Sequence, residues 1–191
     1  MILPIVLYGQ PVLRQRGQDL ASDHPDVQAL IDHMFETMYN ANGVGLAAPQ
    51  VGKSLRLFII DGRPMQDMAQ TPEEAALLAD FVRVVINPRI VQETGDKWGF
   101  EEGCLSIPGI RETVQRHAHL QVQYLDRQLR PQEETLSGIS ARIFQHEYDH
   151  VEGVLFTDHL SPLKKQILRP KLTRMAKRGA EADYPVAPPS K

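Results

Sequence analysis

Several protein classes are excluded by what this sequence lacks. It holds a single cysteine, Cys104, among 191 residues. That rules out an intramolecular disulfide framework and fits a reducing, cytoplasmic setting. No apolar run approaches the roughly 20 residues that cross a bilayer, so no membrane span is expected. Neither sign of charge dominates, since 21 Lys+Arg stand against 24 Asp+Glu for a formal charge of −3. Wholesale or sequence-specific nucleic-acid binding is therefore not expected, although a local basic patch is compatible with this balance. The opening residues carry no basic run and are broken by Pro4 and Pro11, unlike a signal peptide. There is no internal repeat. The remaining composition, 42% apolar and 24% charged, is that of a globular chain.

Hydrophobic periodicity predicts a first helix over residues 25–41. Val27, Leu30, Ile31, Met34 and Met38 fall near one stripe, with Pro25 suited to the first turn and Gly43 beyond the end. Residues 43–52 read as a loop. Residues 55–60 and 84–91 read as strands, the second interrupted by Pro88, and 63–80 as a polar connection with a short helical turn near Glu73–Leu78. Residues 113–126 alternate as a strand. A second long helix is predicted over 138–151, where Ile139, Ile143, His146 and His150 form one continuous stripe. Ala141, Phe144 and Tyr148 cover another side, so this helix is buried, and two histidines extend one of its apolar stripes. Ser161-Pro162 opens a third helix, which Pro170 is expected to kink or divide. Residues 161–178 carry seven basic side chains and no acidic one. Residues 1–178 are expected as one catalytic domain and the proline-rich 179–191 as a disordered tail.

His146-Glu147-Tyr148-Asp149-His150 is an H-E-x-x-H sequence on that buried helix. Imidazoles four residues apart reach one cation together, and the intervening glutamate can accept a proton from a water held there. Burying two histidines costs free energy unless they find partners, and a metal is a strong one. A catalytic site of this kind takes three protein ligands and keeps one position open. The downstream histidine of the extended H-E-x-x-H-x-x-G-x-x-H pattern is missing: Gly153 is in register, but position 156 is Phe. Cys104, in the run Glu101–Pro108 (EEGCLSIP), is the best third candidate. A lone cysteine is commonly an inert buried thiol, but a thiolate beside two imidazoles suits Zn(II) or Fe(II). Residues Gly43–Gln50 (GVGLAAPQ) lack the Gly-Lys-Ser/Thr of a phosphate loop. They form either a tight turn or a place where a substrate backbone approaches closely.

Taken together, GVGLAAPQ, EEGCLSIP and QHEYDH resemble the peptide deformylase family in order and spacing, over about residues 5–170. The resemblance implies an α+β fold, with antiparallel β-sheets surrounding a central metal-binding helix and a C-terminal helix. It implies a metallo-hydrolase that removes the N-formyl group from the formyl-methionine of newly synthesised proteins, by attack of metal-bound hydroxide. Cys104, His146 and His150 would be the metal ligands, and Glu147 the general base and then acid. Gln50 and the N–H of Leu105 would stabilise the oxyanion. Gly45 would line the peptide channel, with Glu102 near the pocket. The native ion would be Fe(II), with Zn(II), Ni(II) or Co(II) able to replace it. For the methionine side chain the candidates are Val44, Phe100, Ile139 and Ile143. Arg111 is either a contact to the peptide backbone or a solvated charge. The basic stretch 161–178 is either a ribosome contact or a solvated helix face. Two other functions compete: a metallopeptidase cleaving internal bonds, and a metal-stabilised or ribosome-associated protein without activity. Cys104 speaks against the first, and the paired Glu147 and Gln50 against the second.

Overall fold

The computed structural model describes residues 1–21, 24 and 26–189. Pro25, Ser190 and Lys191, to which the sequence reading assigned a helix start and a tail end, lie outside the described residues. In chain order the elements are α1 (Val27–Asn40), β1 (Gly45–Ala47), β2 (Leu57–Asp61), α2 (Pro72–Leu78), β3 (Val82–Gly103), β4 (Arg111–Leu125), β5 (Pro131–Ser137), α3 (Gly138–Val151) and α4 (Pro162–Arg178). The strands form one antiparallel sheet in the order β1-β2-β3-β4-β5. The architecture is α+β, with α3 packed against β1, β2, β4 and β5 and α4 near the C-terminus. No helix of the described residues is long and apolar enough to cross a membrane.

The core explains this arrangement. Phe58, Val85, Leu120 and Val122 of the sheet enclose Ile139, Ile143 and Phe144 of α3, all 5% exposed or less. Phe58 and Phe144 meet edge to face with ring centroids 5.1 Å apart. On the opposite side Ile31, Met34 and Met38 of α1 pack on Leu46, Ile59 and Ile86. A third cluster joins Leu172 and Met175 of α4 to Ile107, Val114 and Phe156.

Several elements differ from the sequence reading. The loop over 43–52 contains β1 and a 3-10 turn, Ala48–Val51. The strand expected over 84–91 extends to Gly103, because β3 and β4 continue as a ribbon past three register shifts. One of these shifts lies beside Pro88, where the preceding Asn87 adopts φ 50°. Asn is tolerated in that left-handed region. Its amide also pairs with Leu20, accepting from the N–H at 2.8 Å and donating to the O at 3.0 Å. The polar connection holds a 3-10 turn (Arg63–Met68) and α2, whose Glu74 Oε1 accepts the Ile139 N–H at 2.7 Å and so caps α3. Pro170 does not divide α4. It and Gln166, whose carbonyl loses its helical donor, are both exposed, so water can take that place. The stretch read as a disordered tail turns back instead. Ile5 and Val186 form a parallel bridge, the Ile5 N–H donates to the Pro185 O at 2.9 Å, and the Ala187 N–H donates to the Ile5 O at 2.8 Å.

Candidate metal centre

The end of β3 and the C-terminal half of α3 meet close to β1. Cys104 leaves β3 in a turn closed by the Ile107 N–H on the Cys104 O at 2.9 Å. His146 and His150 occupy successive turns of α3. The ligand atoms of Cys104, His146 and His150 all lie within 4.8 Å of one another, and Cys104 Sγ is 3.3 Å from His150 Nε2. These three donors are the group among the described residues that can hold a metal ion.

Glu102 fixes the orientation of His146. Its Oε2 stands 2.9 Å from His146 Nδ1, which leaves Nε2 for an ion. The same carboxylate accepts Arg116 Nε at 2.7 Å and Arg142 Nη1 at 3.0 Å. Burial opposes its charge, but hydrogen bonds from His146 and Arg116 outweigh it and hold Glu102 well below the usual carboxylate range. Arg116 also donates to Asp149 at 2.7 Å. Arg142, held against Trp98 with its guanidinium carbon 4.5 Å from the ring centroid, reaches the cavity wall.

Burial alone would raise the Cys104 thiol. The charge of His150 and the hydrogen bond to His146 prevail and bring it down to about 5, so the sulfur is a thiolate at neutral pH. His146 moves the other way: burial lowers it, yet Cys104 and Glu102 raise it well above the ordinary value. At Glu147 burial outweighs the nearby charges of His146 and His150 and pushes it up to about 7. Glu147 Oε2 and His150 Nδ1 are buried without a hydrogen-bond partner among the described residues. A thiolate, two convergent imidazoles and an unpartnered carboxyl oxygen beside them suit a divalent cation with an open position.

Gln50 is 2% exposed, and its amide is oriented by the backbone. Oε1 accepts the Ala47 N–H at 2.8 Å, so Nε2 faces Cys104 Sγ at 3.5 Å and Ser106 Oγ at 3.2 Å. The Leu105 N–H makes no hydrogen bond among the described residues. Gly45 lies against Glu147, and a methyl group built on it would overlap Oε1.

A cavity of about 830 Å³ opens over these groups. Val44, Gly45, Phe100, Glu102, Arg111 and Ile143 line it with Gln50, Leu105 and Glu147. One expectation changes. Ile139 is 1% exposed and packs in the first core cluster, because it lies one turn too close to the start of α3. Arg111, left open between a peptide contact and a solvated charge, is exposed at the rim and paired with Glu101 at 2.7 Å. The sequence reading missed Arg116, Arg142 and Tyr184. Arg142 precedes His146 by one helical turn, and a cation on a buried helix face is a signal that could have marked it. Arg116 and Tyr184 come from distant segments and carry no local signal.

The polypeptide deformylase family model matches residues 2–166. A peptide deformylase of Christiangramia forsetii is 49% identical over 185 residues, covering 96% of this chain and 94% of the relative. One of Salinibacter ruber is 47% identical over 186 residues, covering 97% and 94%. Among solved structures, a peptide deformylase from Legionella pneumophila superposes with a TM-score of 0.77 at 41% identity, covering 93% of this chain and 96% of that one.

Proposed function

The chain belongs to the polypeptide deformylase family, metal-dependent hydrolases acting on the N-formyl group of nascent peptides, and from that premise we propose how its own residues carry the reaction. The observation that bears most weight is the convergence of Cys104, His146 and His150 beside a buried, unpartnered Glu147 oxygen. We take these three as the ligands of one divalent ion, natively Fe(II), with Zn(II), Ni(II) or Co(II) able to replace it. When bound, such an ion polarises the formyl oxygen and acidifies a water molecule.

The chain's part is to move a proton and to hold charge. Glu147, poised near neutrality by burial, accepts a proton from water through Oε2 and later hands it to the leaving amine nitrogen. Gln50 Nε2 and the Leu105 N–H are fixed donors for the negative charge that develops on the formyl oxygen. Val44, Phe100 and Ile143 supply apolar wall for the methionine side chain. Glu102 acts through His146, and its full set of cationic partners leaves no role in gripping the peptide. The products are formate and a free N-terminal methionine. The basic, exposed face of α4 supports contact with the ribosome in the cytoplasm, and such binding weakens as salt is added.

The test is release of formate from a formyl-methionyl peptide by the metal-loaded chain, alongside Glu147→Gln. The variant should keep its metal and lose at least about 10²-fold in kcat, within the range for a general acid–base. Turnover near the unsubstituted rate would remove Glu147 from the proton path.

A further inference from the structure

The family match ends at residue 166, yet the chain beyond α4 returns to the mouth of the cavity, where residues 181–184 form part of the wall. It is fastened on both sides of that stretch. Gly179 N–H donates to Met175 O at 2.8 Å on one side. On the other, the Ile5–Val186 bridge is followed by Gln10 Nε2 donating to the Pro188 O at 2.8 Å. Between these ties, the Tyr184 hydroxyl donates to the Leu105 O at 2.7 Å, while its ring packs on the second core cluster. Burial raises the phenol to about 12, so it carries the donated proton at neutral pH.

The acceptor is what gives this contact meaning. The turn Cys104–Ile107 holds a metal-ligand candidate and an oxyanion donor side by side, and three consecutive carbonyls orient it. Cys104 O takes the Ile107 N–H at 2.9 Å, and Ser106 O takes the Tyr8 N–H at 2.8 Å. The middle one, Leu105 O, takes the Tyr184 hydroxyl. Planarity ties the Leu105 N–H to the Cys104 carbonyl, which the Ile107 N–H holds, while the Tyr184 bond fixes the next plane, Leu105–Ser106, so the Leu105 torsions joining the two planes are held from both sides. Resting on the deformylase reading of the site, we propose that Tyr184 is a positioning residue: its hydroxyl holds the Leu105 N–H in the direction where the formyl oxygen becomes negative. The returning segment is thus part of the catalytic apparatus.

Tyr184→Phe removes one oxygen and leaves the ring in its packing. Charge on the formyl oxygen exists only after attack, so a misaimed donor appears in kcat and not in substrate binding. The expected result with a formyl-methionyl peptide is a kcat lowered about 5- to 20-fold, less than for outright loss of an oxyanion donor. KM should stay within about twofold, with bound metal and melting temperature unchanged. A kcat equal to that of the unsubstituted chain would overturn the assignment. So would a loss of rate that merely tracks lost metal or a lowered melting temperature. An unsubstituted, metal-loaded chain that releases no formate would instead defeat the deformylase reading, and this inference with it.

Discussion

Gly45 leaves open the volume into which the Glu147 carboxyl group fits, and that contact makes its side chain a catalytic matter. A methyl group there would overlap Oε1 and the carboxyl carbon, and α3 is too tightly packed to withdraw. The carboxyl group would have to rotate off its present line, and displacements of about 1 Å at a reacting group can cost about 10²-fold in rate. Gly45→Ala should therefore lower kcat by tenfold or more, an order-of-magnitude expectation from that sensitivity, while bound metal and circular dichroism stay as they are. Full activity in this variant would mean that Glu147 has room to step aside. At this scale the chemistry was unevenly legible. His146, Glu147 and His150 announce themselves because a helix brings residues four apart onto one face. Cys104 and Gln50 stood out through their motifs. Gly45 was read as a channel residue, and its contact with Glu147 depends on β1 meeting α3, which no local pattern reports.

α3 is held to the ribbon of β3 and β4 by charges as well as by its apolar face. Arg116 on β4 bridges Glu102 of β3 and Asp149 of α3, at 2.7 Å to each, and its side chain is 4% exposed. Removing one member of such a group leaves buried charge uncompensated, which costs far more than a surface pair. Arg116→Met should destabilise the fold by about 3–5 kcal/mol, seen as a lowered urea midpoint. Because Glu102 would retain Arg142 and His146, the loaded enzyme that remains folded should keep most of its turnover. A change below about 1 kcal/mol would place the group in the ordinary surface class. Element boundaries were legible where periodicity is strong, as in α3, whose observed span matches its predicted one. β5 was missed because its residues, Pro131–Ser137, are mostly polar and half exposed, so nothing in their sequence marks them as a strand. The length of β3 was missed because its distal half is exposed ribbon rather than core.

Over the whole molecule, the ligand group joins parts of the chain that are far apart in sequence: Cys104 directly follows β3, and the histidines come after β4 and β5. The returning C-terminal segment adds Tyr184 to the same turn. Its composition reads as a tail because it has few large apolar residues; it docks through backbone hydrogen bonds to Ile5 and one partly buried ring, partners visible only in three dimensions. An unfolded chain cannot present Cys104, His146 and His150 within one coordination sphere, so an ion that binds them stabilises the folded state by mass action. At a hundredfold excess over its dissociation constant the gain is about 2.7 kcal/mol. For a chain of this size, that raises the melting temperature by about 5–10 °C. Stripping the protein with a chelator should remove that increment, and adding back Zn(II) or Co(II) should restore it. Cys104→Ser should shrink it, since a neutral hydroxyl replaces a thiolate that is already ionised at neutral pH in the metal-free chain. Equal melting temperatures for stripped and loaded protein, with the ion shown to be free in solution, would mean that the three donors do not close on one cation, and the assignment of the ligands would fail with them.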